Sequence, residues 1–184
     1  AAYSFAFFEY PGKKLLFYLT SGTMIIPADV LMVQNYFTVA KMGLINTYTG
    51  MMVIFFVSAM NIFVIRQYFM SYSISLKEAA HMDGCGNFRF FVSILIPTTT
   101  PALTTVFISS FVGTCNTYLW PLIVTNVNEM RTAQVAITML NSEASSDYGV
   151  VMAASTIILL PSILVFVLFQ RKIVGGMMSG SVKG

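Results

Sequence analysis

Four long apolar runs, separated by shorter polar segments, dominate the chain. A helix needs roughly 20 residues to cross the ~30 Å hydrocarbon core of a bilayer, and each run approaches that length. The pattern therefore predicts four membrane-spanning helices, at residues 15–32, 50–65, 94–114 and 150–169. The opening AAYSFAFF resembles the end of a further span. We therefore expect the chain to start partway through a larger protein, with residues 1–184 in one transmembrane domain.

Four prolines, Pro27, Pro97, Pro101 and Pro161, lie inside or beside these runs. In a water-soluble helix each would cost ~3 kcal/mol, because proline lacks the amide hydrogen and its ring clashes with the preceding turn. Membrane helices tolerate proline where neighbouring helices, or Ser and Thr side chains, bond to the freed carbonyls. We therefore expect kinked helices.

Composition narrows the fold class. Hydrophobic residues make up 57% of the 184 residues, and charged residues only 9%. A soluble domain of this size needs charged side chains over its surface, whereas a helix bundle surrounded by lipid does not. The sequence predicts an all-α integral membrane protein, a polytopic helix bundle with about four full spans and the end of another.

Basic residues indicate the orientation. If the loops alternate between the two sides, eight of the ten Lys and Arg residues fall on one side, and only Lys41 and Arg131 on the other. By the positive-inside rule the richer side is cytoplasmic. The 66–93 loop and the tail 170–184 are then cytoplasmic, and the segments 33–49 and 115–149 face outward.

Residues that could carry chemistry are scarce. The chain lacks a GxxxxGK[ST] phosphate loop. His81 is the only histidine and has no second ligand at helical spacing, so no metal site is predicted. Cys85 and Cys115 are expected on opposite sides, too far apart for a disulfide. No Asp, Glu, Lys or Arg lies deep inside a span, and Asp29 is near the outer end of its helix. We expect no catalytic site, no bound cofactor and no nucleic-acid partner.

One polar segment, SLKEAAHMDGCGNF at residues 75–88, interrupts the apolar pattern. Ser75 and Glu78 match a capping box, which predicts a short helix starting at Leu76. One face of this helix carries Leu76, Ala79, Ala80 and Asp83. A face lined by alanine suits close approach by another protein.

The DGCGN stretch should end that helix. Gly84 or Gly86 can take the left-handed conformation, and Asn87 can cap the helix that follows. The predicted product is a helix-turn-helix on the cytoplasmic side. On pattern alone, an equally good interpretation is that these residues serve only as caps, helix formers and turns.

Several motifs, in order along the chain, carry a family resemblance. The run EAAHMDGCGNFRFFVSILIPTTTPAL (78–103) resembles the signature loop of the membrane subunits of binding-protein-dependent ABC importers: EAA, then DG, then an apolar stretch ending in proline. Further similarity to the carbohydrate-uptake, maltose-permease-like branch lies in GLINTYTG (43–50), IFVIRQYF (62–69), NTYLWPLIV (116–124) and FQRKIVGGMMSGSVKG (169–184). The resemblance covers essentially the whole chain.

The resemblance implies a six-helix permease subunit of the bacterial inner membrane, here without its first helix and most of its second. In such importers two permease subunits form the pore. Two cytoplasmic ATPase subunits bind ATP and Mg²⁺, and an extracytoplasmic binding protein delivers the sugar. The EAA loop is the coupling helix that docks on an ATPase subunit, and its matching residues are Glu78, Ala79, Ala80, Asp83 and Gly84.

The tail has two interpretations. Its glycines and polar residues predict that the last helix stops near Val174, and a frayed terminus is the usual result. The resemblance instead implies that the tail reaches between the two ATPase subunits. The tail residues assigned to this contact are Gln170, Arg171, Gly175, Gly176 and Lys183.

The chain departs from the family pattern at several positions. Lys77 stands where a second acid is common, and His81 and Cys85 stand where Arg and Ala are common. Cys115 and Thr117 replace the Trp and Asp that commonly flank the Asn. The solute is therefore left open.

The third run carries small or polar residues at a spacing of three or four. They are Thr98, Ala102, Thr105, Ser109, Gly113 and Asn116. This face suits either helix packing, which we favour, or a translocation path. Tyr118 is a further candidate for these roles, although we favour a membrane-interface position for the aromatic residues of NTYLWPL.

Three classes of function follow. We favour the permease subunit of an ATP-driven ABC importer for a sugar or oligosaccharide, with a non-sugar solute such as a glycerophosphate as the alternative. A secondary carrier or channel is disfavoured by the lack of charge inside the spans. A structural scaffold is disfavoured by the proline-kinked, polar-striped spans.

Overall fold

The structure, a computed structural model, describes residues 1–72, 74–143 and 148–181, with side chains described for residues 1–72, 74–140 and 148–170. Within these ranges every regular element is helical, which confirms the all-α class. The α-helices are α1 (Ala2–Phe7), α2 (Lys13–Gly22), α3 (Ala28–Lys41), α4 (Tyr48–Met52), α5 (Ala59–Met70), α6 (Ile74–Met82), α7 (Asn87–Phe90), α8 (Ile96–Thr98), α9 (Thr100–Cys115), α10 (Leu119–Val124), α11 (Ala133–Glu143) and α12 (Tyr148–Ser181). A π-helical turn, Phe91–Leu95, joins α7 to α8.

Among the described residues, one helical stretch, Tyr148–Gln170 of α12, is long and apolar enough to cross a membrane alone. Three pairs of helices pass the same test together, each bent by more than 40° at a short break. The pairs are Lys13–Ile25 with Ala28–Lys41, Tyr48–Phe55 with Ala59–Met70, and Asn87–Thr98 with Thr100–Cys115. The number of spans reaches four only if each pair counts as one, so each of the first three predicted runs contains a break.

The breaks confirm the expected kinks at two proline sites. Pro27 has an extended backbone (φ −58°, ψ 133°) immediately before α3, because proline favours the start of a helix over its interior. The α8–α9 break falls at Thr99, between Pro97 and Pro101. In contrast, α12 continues through Pro161.

Side-chain hydroxyls satisfy carbonyls around the α8–α9 break. Thr98, Thr99 and Thr100 donate to the carbonyl oxygens of residues 94–96 at 2.8, 2.6 and 3.1 Å. The Tyr72 hydroxyl donates to the carbonyl oxygen of Thr98 at 2.6 Å. These bonds add side-chain donors to carbonyls beside the break, which suits an apolar environment.

The chain divides into two compact units. The first unit comprises Ala1–Ile25, Ser58–Ile108 and Phe169–Gly184, and the second Ile26–Val57 and Ser109–Leu168. The core of the first unit is formed by Phe69 of α5, Ala80 of α6, Phe90 of α7 and Leu95 of the π-helical turn. Residues of α1 pack against it, so α1 and the 66–93 loop share one core.

The second unit is centred on Trp120 in α10. Its side chain is 1% exposed and packs with Val39 and Val124. Its indole N–H donates to the carbonyl oxygens of Gly50 and Met51, both at 3.2 Å. Trp120 therefore lies in a protein core with main-chain acceptors for its indole N–H, and its position at the membrane interface stays a prediction.

The GLINTYTG segment forms the turn that leads into these acceptors. Asn46 has a left-handed backbone (φ 55°), a conformation that asparagine tolerates better than most residues. Its N–H donates to the Val124 carbonyl at 2.9 Å, and its Oδ1 accepts the Asn126 N–H at 2.6 Å. Thr47 Oγ1 then caps α4 by accepting the Gly50 N–H at 3.0 Å. The turn therefore binds the end of α10.

Replacing Gly50 with alanine should destabilise this unit. A Cβ atom there would lie 2.1 Å from the Leu44 carbonyl oxygen, a main-chain atom that cannot rotate away. We expect a loss of about 1–3 kcal/mol, the usual cost of overpacking, measured as a lower thermal midpoint of the purified protein. Gly113→Ala is the control, since its Cβ meets nothing within 4 Å. Equal midpoints for the two variants would contradict the prediction.

Candidate functional site

The polar segment forms a helical hairpin, defined here as α6, the turn 83–86 and α7. The predicted short helix is present, but it begins at Ile74. Ser75 therefore lies inside the first turn, and the prediction that it caps a helix starting at Leu76 is wrong. Serine is accepted in a first helical turn as well as at the cap, so the pattern did not determine the first helical residue.

Gly84 ends α6 in the predicted left-handed conformation, with φ +75°. The Gly84 N–H donates to the His81 carbonyl at 3.0 Å, and the Cys85 N–H donates to the Ala80 carbonyl at 2.9 Å. These two bonds form a Schellman motif, which satisfies carbonyls left open at a helix end. Gly86 is extended (φ −70°, ψ 161°), so only Gly84 uses the freedom of glycine here.

Asn87 is the first residue of α7, and the prediction that it caps this helix is wrong. Gly86 holds the N-cap position and provides no side-chain bond. The Asn87 side chain instead pairs with His81, with 3.1 Å between Oδ1 and Nε2. The histidine ring therefore joins the two arms of the hairpin.

The predicted docking residues divide between two sides of α6. Glu78, Ala79, Asp83 and Gly84 are exposed, whereas Ala80 is 7% exposed and lies in the core. The expectation that Ala79 and Ala80 present one common face is wrong, since they lie 100° apart around a helix and the core takes Ala80. The exposed strip of the hairpin carries two carboxylates, of Glu78 in α6 and Asp83 in the turn, beside one alanine.

Two cations connect this region to α1. Lys77 Nζ donates to the Phe7 carbonyl oxygen at 3.1 Å and lies 4.9 Å from the centre of the Phe8 ring. Arg66 Nε donates to the Phe5 carbonyl oxygen at 3.3 Å, and its guanidinium carbon lies 4.0 Å from the centre of the Phe17 ring. Both side chains are half-buried, so their charges are held by main-chain oxygens and aromatic faces.

Tyr3 forms a third link. Its hydroxyl donates to the Asn87 carbonyl oxygen at 3.0 Å, and its ring lies 4.8 Å from that of Phe91. Sequence reasoning did not identify these contacts. The only signal was the aromatic run AAYSFAFF in a chain with few cations, because main-chain acceptors leave no pattern in the sequence.

Near this region, an ion pair joins the segment between α1 and α2 to the first residue of α2. Lys13 Nζ lies 2.8 Å from Glu9 Oε1. This hydrogen bond and the Lys13 charge lower the pKa of the Glu9 carboxyl below its usual range. The Glu9 carboxyl is fully exposed, so the pair contributes little to stability.

A protein-family comparison covers nearly the whole chain. The family of inner membrane components of binding-protein-dependent transport systems matches residues 3–178. The chain belongs to this family. Membership confirms the resemblance seen in the sequence and places the chain in the inner membrane.

Relatives in this family have named solutes. The arabinooligosaccharides transport system permease protein AraQ of Bacillus subtilis (strain 168) is 32% identical over 182 residues, which are 99% of this chain and 65% of the relative. The sn-glycerol-3-phosphate transport system permease protein UgpE of Yersinia pestis bv. Antiqua (strain Antiqua) is 34% identical over 179 residues, 96% of this chain and 64% of the relative. The chain thus spans a little less than two thirds of the length of these relatives.

A solved structure supports the fold. It is described as a bacterial ABC transporter involved in the import of the acidic polysaccharide alginate. One of its chains superimposes with a TM-score of 0.81 and 24% sequence identity, covering 92% of this chain and 65% of that chain. At this identity the match establishes a shared all-α permease fold.

The small and polar residues identified in the third apolar run of this family member lie mostly on α9. Thr105, Ser109 and Asn116 are exposed, whereas Ala102 is buried. Thr105 Oγ1 donates to the Pro101 carbonyl at 3.1 Å, and Asn116 Nδ2 donates to the Val112 carbonyl at 2.8 Å. Tyr118 is 43% exposed. These residues remain candidates for helix packing or for a solute path.

The tail of this family member differs from the sequence prediction. α12 continues to Ser181, so the expectation that it stops near Val174 is wrong. Each glycine costs a helix only ~1 kcal/mol, and no proline follows Pro161 to end it. Gln170 is exposed. The side chains of Arg171 and the region around Gly175 and Gly176, and the whole of Lys183, lie outside the described residues.

Proposed function

We propose that the chain contributes the membrane-spanning part of a permease subunit in an ATP-driven importer of a sugar or oligosaccharide. An extracytoplasmic binding protein delivers the solute, and two cytoplasmic ATPase subunits drive its passage through a pore formed with a second permease subunit. Family membership supports this role, and the relatives named for arabinooligosaccharides support the solute class. The chain itself hydrolyses nothing, and ATP and Mg²⁺ bind to the ATPase subunits.

The observation that carries the coupling role is the geometry of the hairpin. Glu78 and Ala79 of α6 and Asp83 of the turn are exposed, and the left-handed Gly84 sets the direction of the turn. A small residue between two carboxylates permits close approach and offers hydrogen-bond acceptors to a soluble partner. We propose that this strip docks on an ATPase subunit, with the tail from Gln170 to Lys183 as a second contact.

The decisive experiment uses the full-length protein expressed with its partner subunits. We expect the ATPase subunits to copurify with it and the reconstituted complex to take up an oligosaccharide only when ATP is supplied. Glu78→Ala combined with Asp83→Ala should weaken the recovery of ATPase subunits. Wild-type protein that transports solute without any ATPase subunit would contradict the proposal in favour of a secondary carrier.

A glycerophosphate is the second candidate solute. The 34% identity to a permease named for sn-glycerol-3-phosphate supports it. Competition of the uptake assay with an arabinooligosaccharide panel and with sn-glycerol-3-phosphate separates the two. Inhibition by the phosphate ester alone would replace the sugar proposal with this one.

The orientation can be tested with the two free cysteines, Cys85 and Cys115. In single-cysteine variants we expect Cys85 to react with a membrane-impermeant maleimide only from the cytoplasmic side, and more slowly when ATPase subunits are bound. Cys115 serves as the opposite control, reacting only from outside. Labelling of Cys85 in intact cells would overturn both the orientation and the docking proposal.

A further inference from the structure

We infer that Lys77 is a positioning residue that fastens α6 to α1, so that a displacement of α6 is passed to α1. The inference rests on the proposed coupling role of the hairpin. Lys77 precedes the motif residue Glu78, and the two side chains have different surroundings. Glu78 is exposed, whereas Lys77 is half-buried and reaches α1.

The Lys77 ammonium group contacts one main-chain oxygen and two aromatic rings at the end of α1. Its Nζ donates at 3.1 Å to the carbonyl oxygen of Phe7, the last residue of α1. Carbonyls in the last turn of a helix have no partner within that helix, so this oxygen is available. The ring centres of Phe8 and Phe7 lie 4.9 and 5.8 Å from Nζ, within the range of cation–π attraction. A charged donor also makes a stronger hydrogen bond than a neutral one.

The rest of α1 is attached to the same core. Arg66 of α5 bonds to the Phe5 carbonyl, and Tyr3 bonds to the Asn87 carbonyl at the start of α7. Ala80 holds the other side of α6 against Phe90. Lys77 is therefore a polar connection between α6 itself and α1, and its loss should leave the remaining attachments of both helices in place.

These observations also disfavour the simplest alternative, in which Lys77 offers its charge to a partner protein. A side chain that is half-buried and bonded at 3.1 Å to its own chain would have to break that bond to reach outward. The exposed Glu78 and Asp83 need no such change. We therefore assign the contact with a partner protein to the two carboxylates and the contact with α1 to Lys77.

The test measures solute transported per ATP hydrolysed by the reconstituted full complex, at matched amounts of folded subunit. In Lys77→Met the aliphatic stem remains and the charged donor is lost. We expect ATP hydrolysis to continue while transport per ATP falls about tenfold, given the strength of hydrogen bonds to charged groups. Lys77→Arg retains the donor and should restore most of the ratio. Lys14→Met, at an exposed lysine, removes the same charge and should match wild type.

A second measurement, the rate of cysteine modification, reports directly on the attachment of α6 to α1. Cys85 packs against the core that α1 and α6 share, so loosening α6 should raise the rate at which a maleimide modifies it in a Cys115→Ser background. Phe8→Leu, which removes one aromatic face from Nζ, is measured in parallel in case Lys77→Met accumulates poorly, and should lower transport per ATP about twofold.

The outcomes separate the two proposals. The role of Lys77 would be overturned if transport per ATP in Lys77→Met equalled that of wild type, if Lys77→Arg failed to restore it, or if Phe8→Leu left it unchanged. None of these results would affect the proposed function. A wild-type complex without ATP-dependent uptake would instead overturn the proposed function.

Discussion

Replacing Gly84 with valine is expected to separate ATP hydrolysis from solute uptake. Gly84 has φ +75°, a region that costs an ordinary residue ~1–2 kcal/mol and a β-branched residue more. The turn should relax to a negative φ and redirect α6 relative to α7. Because 1.4 kcal/mol corresponds to a factor of ten, we expect uptake to fall at least about tenfold in the reconstituted complex, while ATP hydrolysis loses its dependence on solute.

Gly86→Val is the matched control. It lies two residues away with an extended backbone that valine readily adopts, and an added Cβ meets nothing within 4 Å at either glycine. Both variants should therefore insert into the membrane in wild-type amounts. Normal uptake by Gly84→Val, or an equal loss in Gly86→Val, would show that the left-handed turn does not matter for coupling.

Truncating Trp120 to alanine should produce the largest loss of stability. The side chain is 1% exposed, fills the core of the second unit, and bonds through its indole N–H to two main-chain oxygens. Large-to-small changes of buried Trp or Phe cost about 3–5 kcal/mol. We expect the thermal midpoint of the detergent-purified full-length protein to fall by about 10 °C, followed by loss of the monodisperse peak in size-exclusion chromatography.

Tyr118→Ala provides the comparison, since this aromatic residue lies two positions earlier and is 43% exposed. Its midpoint should stay close to that of wild type. Trp120→Phe should fall between the two, because it keeps most of the volume but leaves the carbonyls of Gly50 and Met51 without their donor. A midpoint for Trp120→Ala equal to that of Tyr118→Ala would show that the core does not depend on the indole.

Local patterns predicted the helix class and the hairpin because their causes lie within a few residues. A chain in the apolar core of a bilayer must pair its backbone N–H and C=O groups internally, and a helix does so within one segment. Gly84 follows a helix at the position where a left-handed residue closes a Schellman motif, and the structure has that motif. The breaks at Pro27 and Thr99 likewise follow from proline geometry.

Several features that the sequence analysis did not identify depend on distant parts of the chain. Trp120 suits a membrane interface as well as a core, and the acceptors that hold it come from Gly50 and Met51, about 70 positions earlier. Ala79 and Ala80 are equivalent in pattern, but only Ala80 meets Phe90 and Leu95. The inward position of Lys77 depends on Phe7, 70 residues away.

The three links to α1 have one property in common: each ends on a main-chain oxygen, at Phe7, Phe5 or Asn87. Every amino acid supplies such an oxygen, so substitution at the accepting position leaves the acceptor in place. Selection to preserve these bonds therefore acts on the donors Lys77, Arg66 and Tyr3. Correlated substitution between paired side chains, the usual evolutionary sign of a contact, would not register these hydrogen bonds even if all of them were essential.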